Sequence, residues 1–149
     1  MKSYLPFFCS GTVIKGFGRG SKELGIPTAN FPEQVVNSLP KEMSTGVYYG
    51  YAEVDNGPVY KMVMSVGWNP YYKNEKKSME THIIHVFDED FYGKTLKVAI
   101  LDYIRPERDF NSLEALIETI NNDIAVANVN LDKPEFISFK TNEFFSPNS

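Results

Sequence analysis
Apolar and polar residues alternate along the first two thirds of the chain. Period-2 runs over 8–15, 46–54, 59–66, 79–87 and 95–104 predict five β-strands. Asp55-Asn56-Gly57-Pro58 separates the second run from the third and reads as a hairpin turn, because Asn-Gly tolerates positive φ. A polar break from Asn69-Pro70 to Ser78 joins the third run to the fourth. Short connections between consecutive strands imply antiparallel pairing, and five or six such strands commonly close into a barrel that removes exposed edges. The period then changes. Leu113, Leu116, Ile117, Ile120 and Ile124 share one helical face, which predicts a helix over about 112–128 with that stripe packed on the core. Asn111 followed by Glu114 reads as a capping box, and Pro134 lies beyond the helix end. After about residue 132 the pattern fades, and a loosely ordered tail is expected. Residues 16–42 fit neither period. They form a long stretch rich in Gly and Pro, of the kind that carries function in compact domains.

Length and composition narrow the class. A chain of 149 residues predicts one domain spanning 1–149. Aromatic residues make up 14%, which favours packed β-structure and a stacking site for a flat ligand. The net charge of −4 argues against generic duplex binding, which needs a basic face. A single cysteine, Cys9, excludes an intramolecular disulfide and Cys-based zinc or iron–sulfur frameworks. It reads as a small buried thiol. No apolar run reaches the length of a membrane span, and the amino-terminal patch is too short and Pro-interrupted for a signal peptide. A cytoplasmic monomer acting on small molecules, with no nucleic acid and no membrane partner, is the expectation.

Four segments could carry chemistry. Gly16, Gly18 and Gly20 open the long stretch directly after a predicted strand, a spacing that suits either a flexible turn or a flap over phosphate. It is not a dinucleotide fingerprint, since no third Gly follows at the required spacing and no helix starts there. Nor is it a P-loop, since Ile26-Pro27 follows Gly20 and Gly25 where Lys and Ser/Thr would be needed. In Ile26-Pro27-Thr28-Ala29-Asn30-Phe31-Pro32 the prolines stiffen an extended segment, so Thr28 and Asn30 project to one side. A hydroxyl and an amide oxygen side by side serve either local backbone hydrogen bonds or a hard cation such as Mg²⁺ shared with nucleotide phosphate. On the fourth run Glu80 and His82 lie on one face. His82 and His85 lie on opposite faces and cannot share a metal. A carboxylate on an apolar strand face is costly unless it is paired or used, and accepting a proton from a substrate hydroxyl is the use that fits. Arg105-Pro106-Glu107-Arg108-Asp109-Phe110 is either a solvated connection or the rim of a pocket with Phe110 as its apolar wall.

Together these segments resemble the riboflavin kinases (flavokinases), closely the monofunctional animal-type enzymes. The resemblance runs through Gly16-Phe17-Gly18-Arg19-Gly20-Ser21-Lys22, Gly25-Ile26-Pro27-Thr28-Ala29-Asn30-Phe31-Pro32, Ser65-Val66-Gly67-Trp68-Asn69-Pro70, Met79-Glu80-Thr81-His82, Asp90-Phe91-Tyr92-Gly93 and Arg105-Pro106-Glu107. Phe110 with Ser112-Leu113-Glu114 completes it. It implies a six-stranded antiparallel Greek-key β-barrel with a C-terminal α-helix packed on it. It also implies transfer of the ATP γ-phosphoryl group to the 5′-hydroxyl of riboflavin, giving FMN and ADP. By the same resemblance Glu80 is the catalytic carboxylate, and Thr28 and Asn30 bind Mg²⁺ and nucleotide phosphate. Neutral oxygen ligands do not distinguish Mg²⁺ from Mn²⁺ or Zn²⁺. Gly16 to Lys22 would close over ATP, and Ile83, His85 and Tyr92 would contact it. Arg105, Arg108 and Phe110 would lie on the flavin side. Bacterial relatives add an adenylyltransferase domain, for which this length leaves no room, so the product is expected to stop at FMN. Two other classes compete: a flavin or nucleotide carrier without turnover, and a barrel that stacks single-stranded nucleic acid on its aromatics. A carrier has no use for a base, and the second would need a basic groove.

Overall fold
The computed structural model describes residues 2–14, 28–68, 77–85 and 92–145, with the backbone alone at Thr28. Six strands form one antiparallel sheet: β1 (Phe7–Thr12), β2 (Thr28–Asn30), β3 (Gly46–Val54), β4 (Val59–Trp68), β5 (Lys77–Ile83) and β6 (Thr95–Arg105). Their spatial order is β1-β6-β3-β4-β5-β2. β3, β4 and β5 form a meander and β6 returns beside β3, which is the Greek-key arrangement. The sheet curls until its edges meet, where the Ile14 N–H donates to the Asn30 carbonyl at 2.9 Å. The expected six-stranded barrel is therefore present, curled and partly closed. β2 is the strand that alternation alone could not reveal, because three residues carry no readable period.

Boundaries differ from expectation where local hydrogen bonds intervene. β5 ends at Ile83, where the His85 N–H turns back to the Ile83 carbonyl at 2.8 Å and bends the chain; positions 86 and 87 of the expected run lie outside the described residues. The hairpin between β3 and β4 falls one residue earlier than Asn-Gly implied. Asp55 (φ 52°) and Asn56 (φ 62°) are its two left-handed positions, and the Gly57 N–H closes the turn on the Val54 carbonyl at 2.9 Å. Asp and Asn tolerate that region nearly as well as Gly does.

Two apolar layers use the two faces of the sheet. Inside the curl, Met62, Met64 and Val66 of β4 meet Leu96, Val98 and Ile100 of β6. Cys9 is in this interior, where burial pushes its thiol pKa up to about 12, as expected for an inert thiol. Outside, Tyr49 and Tyr51 of β3, Val63 of β4 and Leu101 of β6 pack under the helical carboxy-terminal third. Gly50 makes this crossing possible: a Cβ there would lie 1.8 Å from the Ala99 carbonyl oxygen.

The short helix α1 (Glu33–Val36) closes one end of the barrel, and α2 (Leu113–Asn130) lies on the outer face against β3 and β4. The cap of α2 is Ser112, not Asn111: the Ser112 hydroxyl accepts the Ala115 N–H at 3.1 Å from an extended backbone. The anticipated box with Glu114 does not form, because the helix starts one residue later. The expected loose tail is instead folded to Phe145. Pro134 opens α3 (Pro134–Ile137), a 3-10 turn follows over Ser138–Thr141, and Phe136 and Phe145 are buried in the outer layer. The helical period is too short there to be read from sequence.

The two ends of α2 sit differently. Its carboxy-terminal end is pinned. Ala127 and Leu131 are fully buried, the Tyr51 hydroxyl donates to the Leu131 carbonyl at 2.6 Å, and the Lys61 ammonium donates to the Asn128 carbonyl at 3.0 Å while pairing with Asp132 at 2.8 Å. Towards the amino-terminal end Leu116, Ile117 and Ile120 are only half-buried and Leu113 is exposed. The helix stands off the sheet at that end, and the gap is a cavity.

Candidate active site
Register places the chemistry in two rows across the outer face. Arg105 of β6 pairs with Val47 of β3, Val47 with Ser65 of β4, Ser65 with Glu80 of β5, and Glu80 with Asn30 of β2. Directly opposed residues on antiparallel strands share a face, so this single row carries three residues singled out in the sequence from segments 25 or more positions apart. The neighbouring row runs from Tyr49 through Val63 and His82 to Thr28. Arg105 reaches this face through an irregularity. Strict alternation from Tyr103, which packs inside, would turn Arg105 inward; a shift of register between Val47 and Tyr48 restores it to the outside.

A cavity of about 380 Å³ lies over these rows. Its sheet wall is Val47, Val63, Ser65, Glu80 and His82, and its other walls are Arg105, Glu107, Arg108 and Phe110 from the loop after β6, with Leu116, Ile120, Asp123 and Ile124 from α2. The lining is two-sided. Ser65, Glu80 and His82 make a polar strip, whereas Val47, Val63, Phe110, Leu116, Ile120 and Ile124 are apolar. Such a cavity accepts a molecule with a flat apolar part and a polar extension. The stripe on α2, expected to serve core packing, thus lines the cavity with Leu116, Ile120 and Ile124.

Arg105 is committed within the protein. Its Nε and Nη2 donate to the two carboxylate oxygens of Asp123 at 3.0 and 2.8 Å, and Nη1 donates to the Pro106 carbonyl at 3.1 Å. Asp123 is buried and Arg105 largely so, and the forked pair ties α2 to β6 across the cavity. The guanidinium groups of Arg105 and Arg108 each lie 6.0 Å from the Phe110 ring centre. The carboxylate of Glu107 rests against Gly67, where a Cβ would come within 2.3 Å of its Oε1.

Three buried polar atoms have no hydrogen-bond partner among the described residues: Thr81 Oγ1 in the interior row with Met64, and Asn30 Oδ1 and His82 Nδ1 in the outer rows beside Glu80. Burial lowers the His82 pKa to about 4, so its imidazole is neutral near neutral pH. Among the described residues no cluster of three His, Cys, Asp or Glu side chains could cage a metal. A cation here would rest on neutral oxygen, and the unmet Asn30 Oδ1 is such a donor.

The remaining sequence candidates fall elsewhere. Ile83 is fully buried in the barrel interior, so its side chain has no surface to offer a nucleotide and only its backbone remains for that role. His85 lies past the bend, stacked on Tyr60 with ring centres 3.9 Å apart, and Tyr92 is half exposed in the turn before β6. Gly16 and Lys22 lie outside the described residues, as does the Thr28 side chain. Sequence reasoning overlooked Asp123. Its signal was present, since 116, 120, 123 and 127 are spaced four, three and four apart and only 123 is charged.

The riboflavin kinase (flavokinase) family model matches residues 3–131. A riboflavin kinase of Mus musculus is 65% identical over 141 residues, covering 95% of this chain and 91% of its own length. A riboflavin kinase of Homo sapiens is 63% identical over 142 residues, covering 95% and 92%. The crystal structure of riboflavin kinase from Trypanosoma brucei superposes with a TM-score of 0.78 at 31% identity, covering 99% of this chain and 94% of that one.

Proposed function
The chain belongs to the riboflavin kinase family, and from that premise we propose that Glu80 is the base of the reaction and that the cavity between α2 and the sheet holds riboflavin. The reaction moves the γ-phosphoryl group of ATP to the 5′-hydroxyl of riboflavin and yields FMN and ADP. The observation that supports this division of work is the two-sided cavity with Glu80 on its polar strip. The isoalloxazine ring fits the apolar side, between Val47 and Val63 below and Leu116, Ile120 and Ile124 above. The hydroxylated chain then runs along Ser65, Glu80 and His82 and presents its terminal hydroxyl to the carboxylate. Arg105 shapes that cavity through Asp123 rather than through a free guanidinium, while Arg108 and Phe110 form its loop side.

The nucleotide approaches from β2, where Asn30 stands directly opposite Glu80. The hydroxyl oxygen bonds to the γ-phosphorus as the bond to the β–γ bridging oxygen breaks. The hydroxyl proton passes to the Glu80 carboxylate, and ADP leaves. This transition state is loose, so alignment and charge neutralisation outweigh base strength, and a carboxylate suffices. Asn30, with Thr28 two residues earlier in β2, would hold Mg²⁺; when bound, the ion neutralises phosphate charge. Water is kept from the phosphoryl group by filling the cavity with flavin. No helix among the described residues is long and apolar enough to cross a membrane.

Incubation with riboflavin and MgATP followed by chromatography for FMN tests the activity. The same assay on Glu80→Gln tests the assignment of the base. Flavin absorbance carried by the purified chain without FMN production would favour the carrier reading.

A further inference from the structure
His82 borders the proposed path of the hydroxylated chain and is a buried polar side chain in the cavity wall. It is 9% exposed, lies two residues from Glu80 on the same face of β5, and leaves Nδ1 buried without a hydrogen-bond partner among the described residues. Its sheet neighbour on one side is Val63, which has nothing to offer a ring nitrogen, and on the other is Thr28. A neutral imidazole carries one donor and one acceptor nitrogen, and a buried one left unmet is costly. Folded proteins tolerate such an orphan where a ligand meets it. Successive same-face residues of a strand are about 7 Å apart, so a chain whose end reaches Glu80 passes His82 with an interior group.

On the reading that the cavity holds riboflavin, we propose that His82 is a specificity-determining residue, whose ring nitrogen meets an interior hydroxyl of the ribityl chain and sets the terminal hydroxyl against Glu80. The residue thereby selects flavins with a polyhydroxylated chain over flavins of equal length without interior hydroxyls. Ser65, directly across from Glu80 and also on the polar strip, borders the same chain from the other strand.

The test compares two acceptors, riboflavin and an isoalloxazine whose five-carbon chain bears only the terminal hydroxyl, in the unaltered chain and in His82→Ala, His82→Asn and His82→Gln. The expected result is a roughly ten-fold rise in KM for riboflavin in His82→Ala, an unchanged KM for ATP, and little penalty with the deoxy acceptor. Asn reproduces the position of Nδ1 better than Gln does, so His82→Asn should hold the riboflavin KM within about three-fold while His82→Gln resembles the alanine variant. Should His82→Ala fail to fold, the Asn and Gln pair decides the matter. Equal losses with both acceptors, or equal behaviour of Asn and Gln, would overturn the proposal and leave His82 a packing residue. Absence of FMN from the unaltered chain would overturn the kinase reading itself, and the proposal with it.

Discussion
Glu80 stands on the cavity floor with Ser65 facing it across the strand pair and Asn30 on its other side. Removing its charge while keeping its shape isolates proton transfer. Glu80→Gln should lower kcat by roughly 10²–10⁴, the span of one acid–base group, with the KM for ATP little changed in steady-state assays. Near-normal turnover would leave Glu80 a structural residue. His82 makes a separate prediction about stability. Its imidazole is held neutral down to about pH 4, whereas in the unfolded chain it protonates near 6.5. Between those values the unfolded state binds the extra proton, so stability is complete above about pH 6.5 and falls as pH drops towards 4. The loss approaches about 3 kcal/mol at 1.36 kcal/mol per unit. Urea unfolding across that window should show a decline that is smaller in His82→Asn. At this scale the sequence was informative because polar residues on an apolar strand are conspicuous. Asp123 was legible by the same rule, as the one charge on the apolar face of its helix, but a stripe that reads as ordinary core packing hid it.

At the scale of elements, α2 is fastened at its far end and held in its middle by the Asp123–Arg105 fork. Asp123→Ala would remove both of these charge-assisted bonds and leave Arg105 with the Pro106 carbonyl alone, which should cost about 2–3 kcal/mol of unfolding free energy. Replacing both partners with apolar residues of similar size, as in Arg105→Met with Asp123→Leu, should restore most of that stability while raising the KM for riboflavin. A single variant that unfolds within about 1 kcal/mol of the original would show that the fork does not anchor the helix. Gly50→Ala tests the sheet itself: its Cβ would collide with the Ala99 backbone, which cannot rotate away, so a loss of about 3 kcal/mol or failure to fold is expected. β3, β4 and β6 were legible as apolar and aromatic runs bounded by turn signals, although burial in two layers blurs the alternation, most of all in β3. The outward placement of Arg105 was not, because a register shift reverses the phase of the alternation without leaving a mark in composition. Residues 134–141 were missed for a related reason, since two helical turns give too few positions to define a face.

For the whole molecule, antiparallel topology followed from short connections, and barrel closure followed from the difficulty of leaving edges open. Among the described residues the join rests on the bridge between Ile14 and Asn30, which no pattern could foretell. Asn30 closes the barrel with its backbone and leaves its side-chain oxygen unmet beside Glu80, so the fold and the proposed nucleotide subsite would share a residue. Neutral oxygens hold a divalent ion weakly by themselves. Calorimetry should therefore detect little Mg²⁺ binding to the nucleotide-free chain and clear binding with ADP or ATP present. Submicromolar affinity without nucleotide would require a carboxylate ligand.

The gap beneath the free end of α2 has a cost outside catalysis. The apolar side of the cavity between helix and sheet gains contacts when filled, so on the proposed reading flavin would complete the outer core much as an added side chain would. Occupancy at a hundred times the dissociation constant should add about 2.7 kcal/mol to unfolding free energy, seen as a rise in melting temperature with riboflavin that a flavin-excluding Ile120→Trp variant would not show. Were the cavity to hold riboflavin, proteases that sample the unfolded fraction would meet less of it when riboflavin is plentiful, and the lifetime of the protein would track the supply of its own substrate.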